Sequence, residues 1–233
     1  MKSSFSQAHK WLNVPYDAGI FFCRSLELQT AVFGPSPLSA PPAYLTPLGL
    51  SSLDDQGGLS TELLTALAIP SPLNVGIENS RRFRALPIFC ALLALGKEGY
   101  MDLVRRNIKF TRKLVDWMSI GQGSRWYEVL NLTYTPTTSE PSPEAIPTVP
   151  LNIILFRARS GSSCPSIFDP SQPESSPRLV HAINATRKLY VSPAKNAVRI
   201  AISNWMTGLT VGGNGVDVDF EIVIEALSSV MCT

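Results

Sequence analysis

The feature that most constrains the fold is the alternation of strand-like and helical patterns over residues 121–231. Four segments rich in β-branched and aromatic residues are predicted strands, namely Trp126–Thr133, Pro150–Arg157, Leu189–Ser192 and Ala197–Ser203. A helix is predicted from Pro177 to Lys188, because proline is well tolerated in a first helical turn. A second helix is predicted from Asp217 to Met231, with acidic residues near its amino end. This order predicts an α/β unit, a small sheet with helices packed on one face.

A long helical region precedes this unit. Residues from Gly99 to Met118 carry apolar side chains at helical spacing, which predicts an amphipathic helix. Its basic residues indicate a solvated face rather than a membrane-binding patch, since Asp102 and Asp116 interrupt them. The segment Ile88–Leu95 is apolar on all sides, as expected of a buried core helix, and Gly96 is predicted to end it.

The amino-terminal region predicts less regular structure. Ile20–Arg24 is a predicted strand of nearly continuous apolar character, which is typical of a strand covered on both faces. No sheet partner for it is recognised in the sequence. Residues 34–80 are rich in proline, serine, glycine and leucine and predict a long loop with one short helix at Thr61–Ala68.

Composition excludes several classes of protein. Hydrophobic residues make up 45% and charged residues 16%, as in a globular protein, and a net charge of +2 without a basic run argues against nucleic-acid binding. Two histidines and four scattered cysteines predict no metal site and indicate reduced thiols in the cytoplasm. No signal peptide is recognised, and the longest apolar run, Ala85–Leu95, is too short to cross a membrane.

The candidate catalytic residues lie in the segment before the predicted strand Ile20–Arg24. Lys10 lies between His9 and Trp11, and a neutral lysine amine can attack a carbonyl group. Apolar neighbours such as Leu12 and Val14 would lower the pKa of the lysine by disfavouring its charged form. His9 is a candidate ligand for an anion such as a cofactor phosphate. On the residues alone, a surface His-Lys pair with no catalytic role is the favoured interpretation.

The string His-Lys-Trp-Leu-Asn-Val-Pro-Tyr-Asp-x-Gly, from His9 to Gly19, resembles the cofactor-lysine segment of the pyridoxal-phosphate-dependent group II amino-acid decarboxylases. That family includes the aromatic-amino-acid and glutamate decarboxylases. The sequence of these segments most resembles its fungal-type members. The resemblance implies that Lys10 carries pyridoxal 5'-phosphate and that His9 helps to seat it. Gln7 departs from the family, which has Asp, Asn or Ser at that position.

Two further strings extend the resemblance. The first, Ser-Arg-Arg-Phe-Arg-Ala-Leu at residues 80–86, matches the start of a buried helix in the family. For Arg81, Arg82 and Arg84 we favour salt bridges at a helix start or a subunit interface over direct ligand binding.

The second string, Val-Arg-Ile-Ala-Ile-Ser-Asn-Trp at residues 198–205, resembles a segment whose arginine contacts the substrate carboxylate in glutamate decarboxylases. Arg199 occupies that position, and an arginine fork suits a carboxylate. A structural salt bridge on a strand is the alternative, and the sequence leaves both open.

The resemblance runs from Ala8 to about Trp205. It implies the carboxy-terminal half of a fold-type I pyridoxal-phosphate enzyme. Residues 1–80 would be a remnant of the large cofactor-binding domain with a long loop, residues 81–119 connecting helices, and residues 120–233 the small α/β domain.

The function that the resemblance implies is that of an amino-acid decarboxylase, a carboxy-lyase, truncated at its amino end. Its partners would be an amino-acid substrate and either a second copy or a longer homologue. The alternative is an inactive remnant or an interaction module that pairs with a full-length homologue. We expect the isolated chain to turn over little substrate, because Lys10 lies close to the amino terminus and no tyrosine between Tyr44 and Tyr100 matches the family's mobile-loop tyrosine.

Overall fold

The computed structural model describes residues 4–23, 25, 32–33, 82–133, 148–161, 163–210, 212, 215 and 217–232. These residues belong to two compact units. One unit comprises the described parts of Met1–His9 and Val14–Cys90, and the other those of Lys10–Asn13 and Ala91–Thr233. The loop predicted at residues 34–80, with its short helix at Thr61–Ala68, lies outside the described residues.

The first unit contains a two-stranded antiparallel ribbon. Strand β1 (Ser4–Gln7) pairs with β2 (Gly19–Phe22), and the short helix α1 (Ala8–Trp11) begins directly after β1. The expectation of a strand that is buried on both faces and has no neighbour in this chain is wrong. Phe21 and Phe22 are each 58% exposed, because among the described residues the ribbon has only two strands and no second layer on its faces.

Helix α2 (Ala85–Ser119) is two helices joined across a kink at Gly96, whose backbone is non-helical with φ of 58°. The predicted break at Gly96 is therefore confirmed, and it falls at the residue type that adopts positive φ most easily. Beyond the kink the amphipathic pattern is also confirmed. The buried residues of this second half are Leu103, Asn107, Phe110, Thr111, Leu114, Val115 and Met118.

The first half of α2 departs from the prediction of a core helix. Phe89 is 59% exposed and Leu93 69% exposed, and Leu86, Leu92 and Leu95 are also exposed. A helix that is apolar all round is suited to burial, but its pattern does not say which element covers it. No described helix is both long enough and apolar enough to cross a membrane.

The second unit is built on a four-stranded antiparallel sheet. Its strands, in spatial order, are β3 (Tyr127–Val129), β4 (Ile153–Ala158), β6 (Ala197–Ala201) and β5 (Ser192–Ala194). Its other elements are α3 (Ser175–Ala185), α4 (Val218–Met231) and the 3-10 turns Gln122–Arg125 and Ser166–Phe168. The side chain of Asp217 caps α4 by accepting a hydrogen bond from the Phe220 N–H at 3.1 Å.

One face of the sheet forms the core. Alternate residues along β4, namely Ile154, Phe156 and Ala158, are buried, whereas those between them are only half-buried. The buried face packs with apolar residues of α2, α3 and α4 in a single cluster. The predicted sheet with helices on one face is confirmed. The Tyr127 hydroxyl donates a hydrogen bond to the Leu227 carbonyl at 2.8 Å, which ties β3 to α4, and burial strongly raises the pKa of this phenol.

Two buried asparagines allow a stability test. Asn107 is fully buried, and neither polar atom of its amide has a hydrogen-bond partner among the described residues. An unpaired buried amide costs about 1–3 kcal/mol. We therefore expect Asn107→Leu to raise the free energy of unfolding by about 1 kcal/mol, measured by urea denaturation followed by circular dichroism.

The matched control is Asn152→Leu. Asn152 is also buried, but its side-chain amide donates to the Ile202 carbonyl at 2.8 Å. Its replacement should lower the free energy of unfolding by about 1–3 kcal/mol, because the Ile202 carbonyl loses this donor. Equal destabilisation by the two variants would contradict the assignment of Asn107 as unsatisfied.

Candidate functional site

Helix α1 carries His9 and Lys10. Ala8, at its start, is fully buried, and the Ala8 N–H donates to the Ala18 carbonyl at 3.0 Å, which fixes the beginning of α1 beside the residue that precedes β2. The side chain of Lys10 is exposed. The apolar setting expected around its amine is therefore not provided by Trp11, Leu12 and Val14.

His9 lies in a more enclosed position. Its ring contacts the ring of Tyr16, with centroids 4.2 Å apart and planes tilted by 32°. Its Nδ1 atom is buried and has no hydrogen-bond partner within the described ranges. An unpaired buried ring nitrogen is costly unless another group completes it.

Asn13 ends α1 in the left-handed conformation, with φ of 52°. Its backbone N–H donates to the Lys10 carbonyl at 3.3 Å, and its side-chain amide reaches the Lys10 and Trp11 carbonyls at 3.3 and 3.4 Å. The Tyr100 hydroxyl, from α2, donates to the adjacent Leu12 carbonyl at 3.2 Å. Neither residue is among those predicted from the sequence, although an asparagine just after a short helix is a known C-terminal signal.

Asp17 forms ion pairs with two of the arginines near the start of α2. It also adopts a left-handed conformation, with φ of 66°, and its carboxylate lies 3.0 Å from Arg84 Nε and 3.9 Å from Arg82 Nη1. The interpretation of these arginines as salt-bridging residues is confirmed for Arg82 and Arg84. Arg81 lies outside the described residues. Because both arginines and Asp17 are substantially exposed, these pairs contribute little to stability.

Arg199 lies in the middle of β6, opposite Leu155 of β4 and Ser192 of β5. It is half-buried, between the buried residues Val198 and Ile200, and so belongs to the sheet face away from the core. It makes no ion pair with any described residue, so the structural salt bridge considered above is not found there. Within the described residues of the second unit, no hydrogen bond or ion pair joins it to Lys10.

The loop after β6 is held by a residue that the sequence did not single out. Arg106 of α2 pairs with Asp102 at 2.7 Å and donates to the Trp205 and Thr207 carbonyls at 3.2 and 2.7 Å. Asp219 accepts a hydrogen bond from the Gly208 N–H at 2.9 Å. Contacts between residues about a hundred positions apart leave no local pattern in a sequence. In the part of the chain described, no cluster of three or more His, Cys, Asp or Glu residues could hold a metal.

The sequence matches no protein-family profile and no curated protein. Among solved structures, it is similar to TDC from Oryza sativa in complex with PLP and tryptamine, with a TM-score of 0.60 at 17% identity over 99% of this chain. Mouse CSAD gives a TM-score of 0.57, and its apo form 0.58, both at 14% identity over 98% of this chain.

At these identities the likeness concerns the fold. The predicted α/β fold of fold-type I pyridoxal-phosphate enzymes is confirmed by it. The chain spans 39% of the length of the Oryza sativa protein and 40% of that of mouse CSAD.

The turn at Asn13 can be tested by substitution. We expect Asn13→Val to open the end of α1, because a β-branched residue costs about 1–2 kcal/mol in the left-handed conformation. Amide hydrogen exchange of a peptide covering residues 8–16 should then be faster by on the order of tenfold. Asn13→Gly, which adopts positive φ freely, should exchange nearly as slowly as the natural chain. Equal exchange in both variants would refute the conformational role of Asn13.

Proposed function

We propose that this chain belongs to a pyridoxal-phosphate-dependent amino-acid decarboxylase and that Lys10 is the residue that holds the cofactor. The observation that carries the proposal is the His9–Lys10 pair at the start of its characteristic string, within a chain whose fold matches that of the Oryza sativa protein solved with PLP. The assignment of domains at residues 1–80, 81–119 and 120–233, and a place in the cytoplasm, belong to the same proposal.

The residues present fit the cofactor. The exposed amine of Lys10 makes no ion pair with a described residue, so it is open to an aldehyde group. The buried Nδ1 of His9 lacks a partner in the described ranges and is free to form a hydrogen bond with a bound group. Pyridoxal phosphate would supply an electron sink for the negative charge left on the substrate carbon when CO2 departs.

Arg199 is the candidate for orienting the substrate. Its guanidinium makes no ion pair among the described residues, and the open face of the sheet leaves it half-exposed. A guanidinium can bind a carboxylate through two parallel hydrogen bonds, which fixes orientation as well as position. An α-amino acid offers that carboxylate. The tryptamine in the Oryza sativa structure is an amine of the kind that remains when such an acid loses CO2, which supports an amino-acid substrate.

The role of Lys10 can be tested without measuring turnover. We expect the purified chain, mixed with pyridoxal phosphate and reduced with borohydride, to carry the cofactor on the peptide that contains Lys10. Lys10→Ala should lose this label. It should also lose the absorbance band that the bound cofactor gives before reduction. Lys195→Ala is the matched control, because Lys195 is also exposed and lies in the turn between β5 and β6. Equal labelling of wild type and Lys10→Ala would rule out the proposed role.

The second candidate function is that of an interaction module which pairs with a longer homologue. It is favoured by the exposed apolar residues in the first half of α2 and on β2, including Phe22, Phe89 and Leu93. Apolar side chains exposed in such numbers mark surfaces that bind another protein.

The two candidates predict different activities. We expect the isolated chain to show little or no decarboxylation of aromatic or acidic amino acids, since an exposed Lys10 lacks the water-excluded setting that catalysis requires. Activity that appears only when a full-length homologue is added, measured as CO2 release, would support the interaction module. Robust turnover by the lone chain, abolished by Lys10→Ala but not by Lys195→Ala, would show instead that this chain is sufficient.

A further inference from the structure

A cavity of about 380 Å³ lies within the second unit, between the second half of α2, the end of β6 and the start of α4. Its apolar lining includes Phe110, Leu114, Ile200 and Val223. Asn204, Thr207 and Asp219 contribute polar groups. The volume lies in the range of small-molecule sites, and the lining is about equally polar and apolar.

The charges around the cavity are unevenly paired. Lys188, which lines it, is bound to Glu225 at 2.7 Å, and the nearby Arg106 is bound to Asp102 at 2.7 Å. Lys113 lies 3.8 Å from Asp217. Asp219, by contrast, makes no ion pair with any described residue, and its carboxylate accepts only the Gly208 N–H noted above. The wall of the cavity therefore presents a carboxylate that has no cationic partner among the described residues.

The polar wall is also fixed in place. Thr207 is held through its carbonyl by Arg106, and the Asn204 side chain accepts a hydrogen bond from the Met206 N–H at 2.9 Å. Asp219 fixes Gly208 in turn. A site whose groups are already held in position loses less conformational entropy when a ligand binds.

We propose that this cavity binds an organic ammonium ion whose apolar body is about the size of a six-membered ring. The ammonium group would pair with Asp219, and the ring would pack on Phe110, Ile222 and Val223. Tyr190, which is 85% exposed, is also part of the lining. This inference goes beyond the proposed function and requires neither Lys10 nor the cofactor.

Other ligand classes fit less well. An anion would need Lys188, which is already engaged by Glu225. A neutral ligand of the same shape offers the Asp219 carboxylate at most an uncharged hydroxyl donor, whose hydrogen bond is weaker than that of an ammonium group. The predicted order of affinity is therefore ammonium, then neutral, then carboxylate.

The test uses the full chain without added cofactor and three matched probes: cyclohexylmethylamine, cyclohexylmethanol and cyclohexanecarboxylate. Binding is measured by isothermal titration calorimetry and by ligand-observed NMR. The amine should bind at least about tenfold more tightly than the alcohol, as expected for a charge-assisted hydrogen bond, and the carboxylate should bind least. Equal affinity for the amine and the alcohol, or no binding of the amine at millimolar concentration, would overturn the proposal.

Variants locate the site. Asp219→Asn should weaken amine binding by at least about tenfold, whereas Glu221→Gln should not, because Glu221 is an exposed acid of the same helix outside the cavity lining. Ile222→Trp, at the lining, should block the amine without changing charge, and it decides the matter if Asp219→Asn fails to fold by circular dichroism. Lys10→Ala should bind the amine as the natural chain does, which separates this site from the proposed function. Retained affinity in folded Asp219→Asn or in Ile222→Trp would refute the assignment.

Discussion

The described part of the second unit depends on burying one face of its four-stranded antiparallel sheet. Strand alternation sends Ile154, Phe156 and Ala158 to the helices, and the intervening residues are left on the opposite face. The same alternation along β6 buries Val198 and Ile200 and so leaves Arg199 half-exposed and unpaired among the described residues. The packing of the core thus places Arg199 on the open face of the sheet, where its side chain is accessible.

The long helix α2 has two environments, separated by the kink at Gly96. Beyond the kink, α2 contributes Leu114 and Met118 to the core and uses Arg106 to hold the loop after β6. Before the kink, its apolar residues are exposed, as are those of β2. The difference agrees with the proposed interaction module, because exposed apolar surface of this extent is typical of sites that bind another protein.

Local patterns in the sequence predicted most elements of the second unit, but the strand expected at Leu189–Ser192 lies at Ser192–Ala194. Alternation predicted β4, helical spacing predicted the second half of α2, and Gly96 and Asp217 marked element ends as observed. The prediction that Ile20–Cys23 and Ile88–Leu95 are buried is wrong. An apolar run shows that a segment could be buried, but it does not show that another element packs against it. The site was predicted only as far as His9, Lys10 and Arg199, whose roles remain predictions. Asn13, Tyr100, Arg106 and Asp219 act through backbone conformation or distant contacts, which a single sequence does not display.

The buried phenol of Tyr127 makes the sheet sensitive to alkali. Burial raises the pKa of Tyr127 far above its ordinary value of 10.0, so the folded chain keeps the proton while the unfolded chain releases it. Below about pH 10 both states are neutral at this residue and the full stability is present. Above that pH the unfolded state gains charge, and stability falls by about 1.4 kcal/mol per pH unit for this residue. A phenolate at position 127 therefore signals a chain that has already lost the contact between β3 and α4.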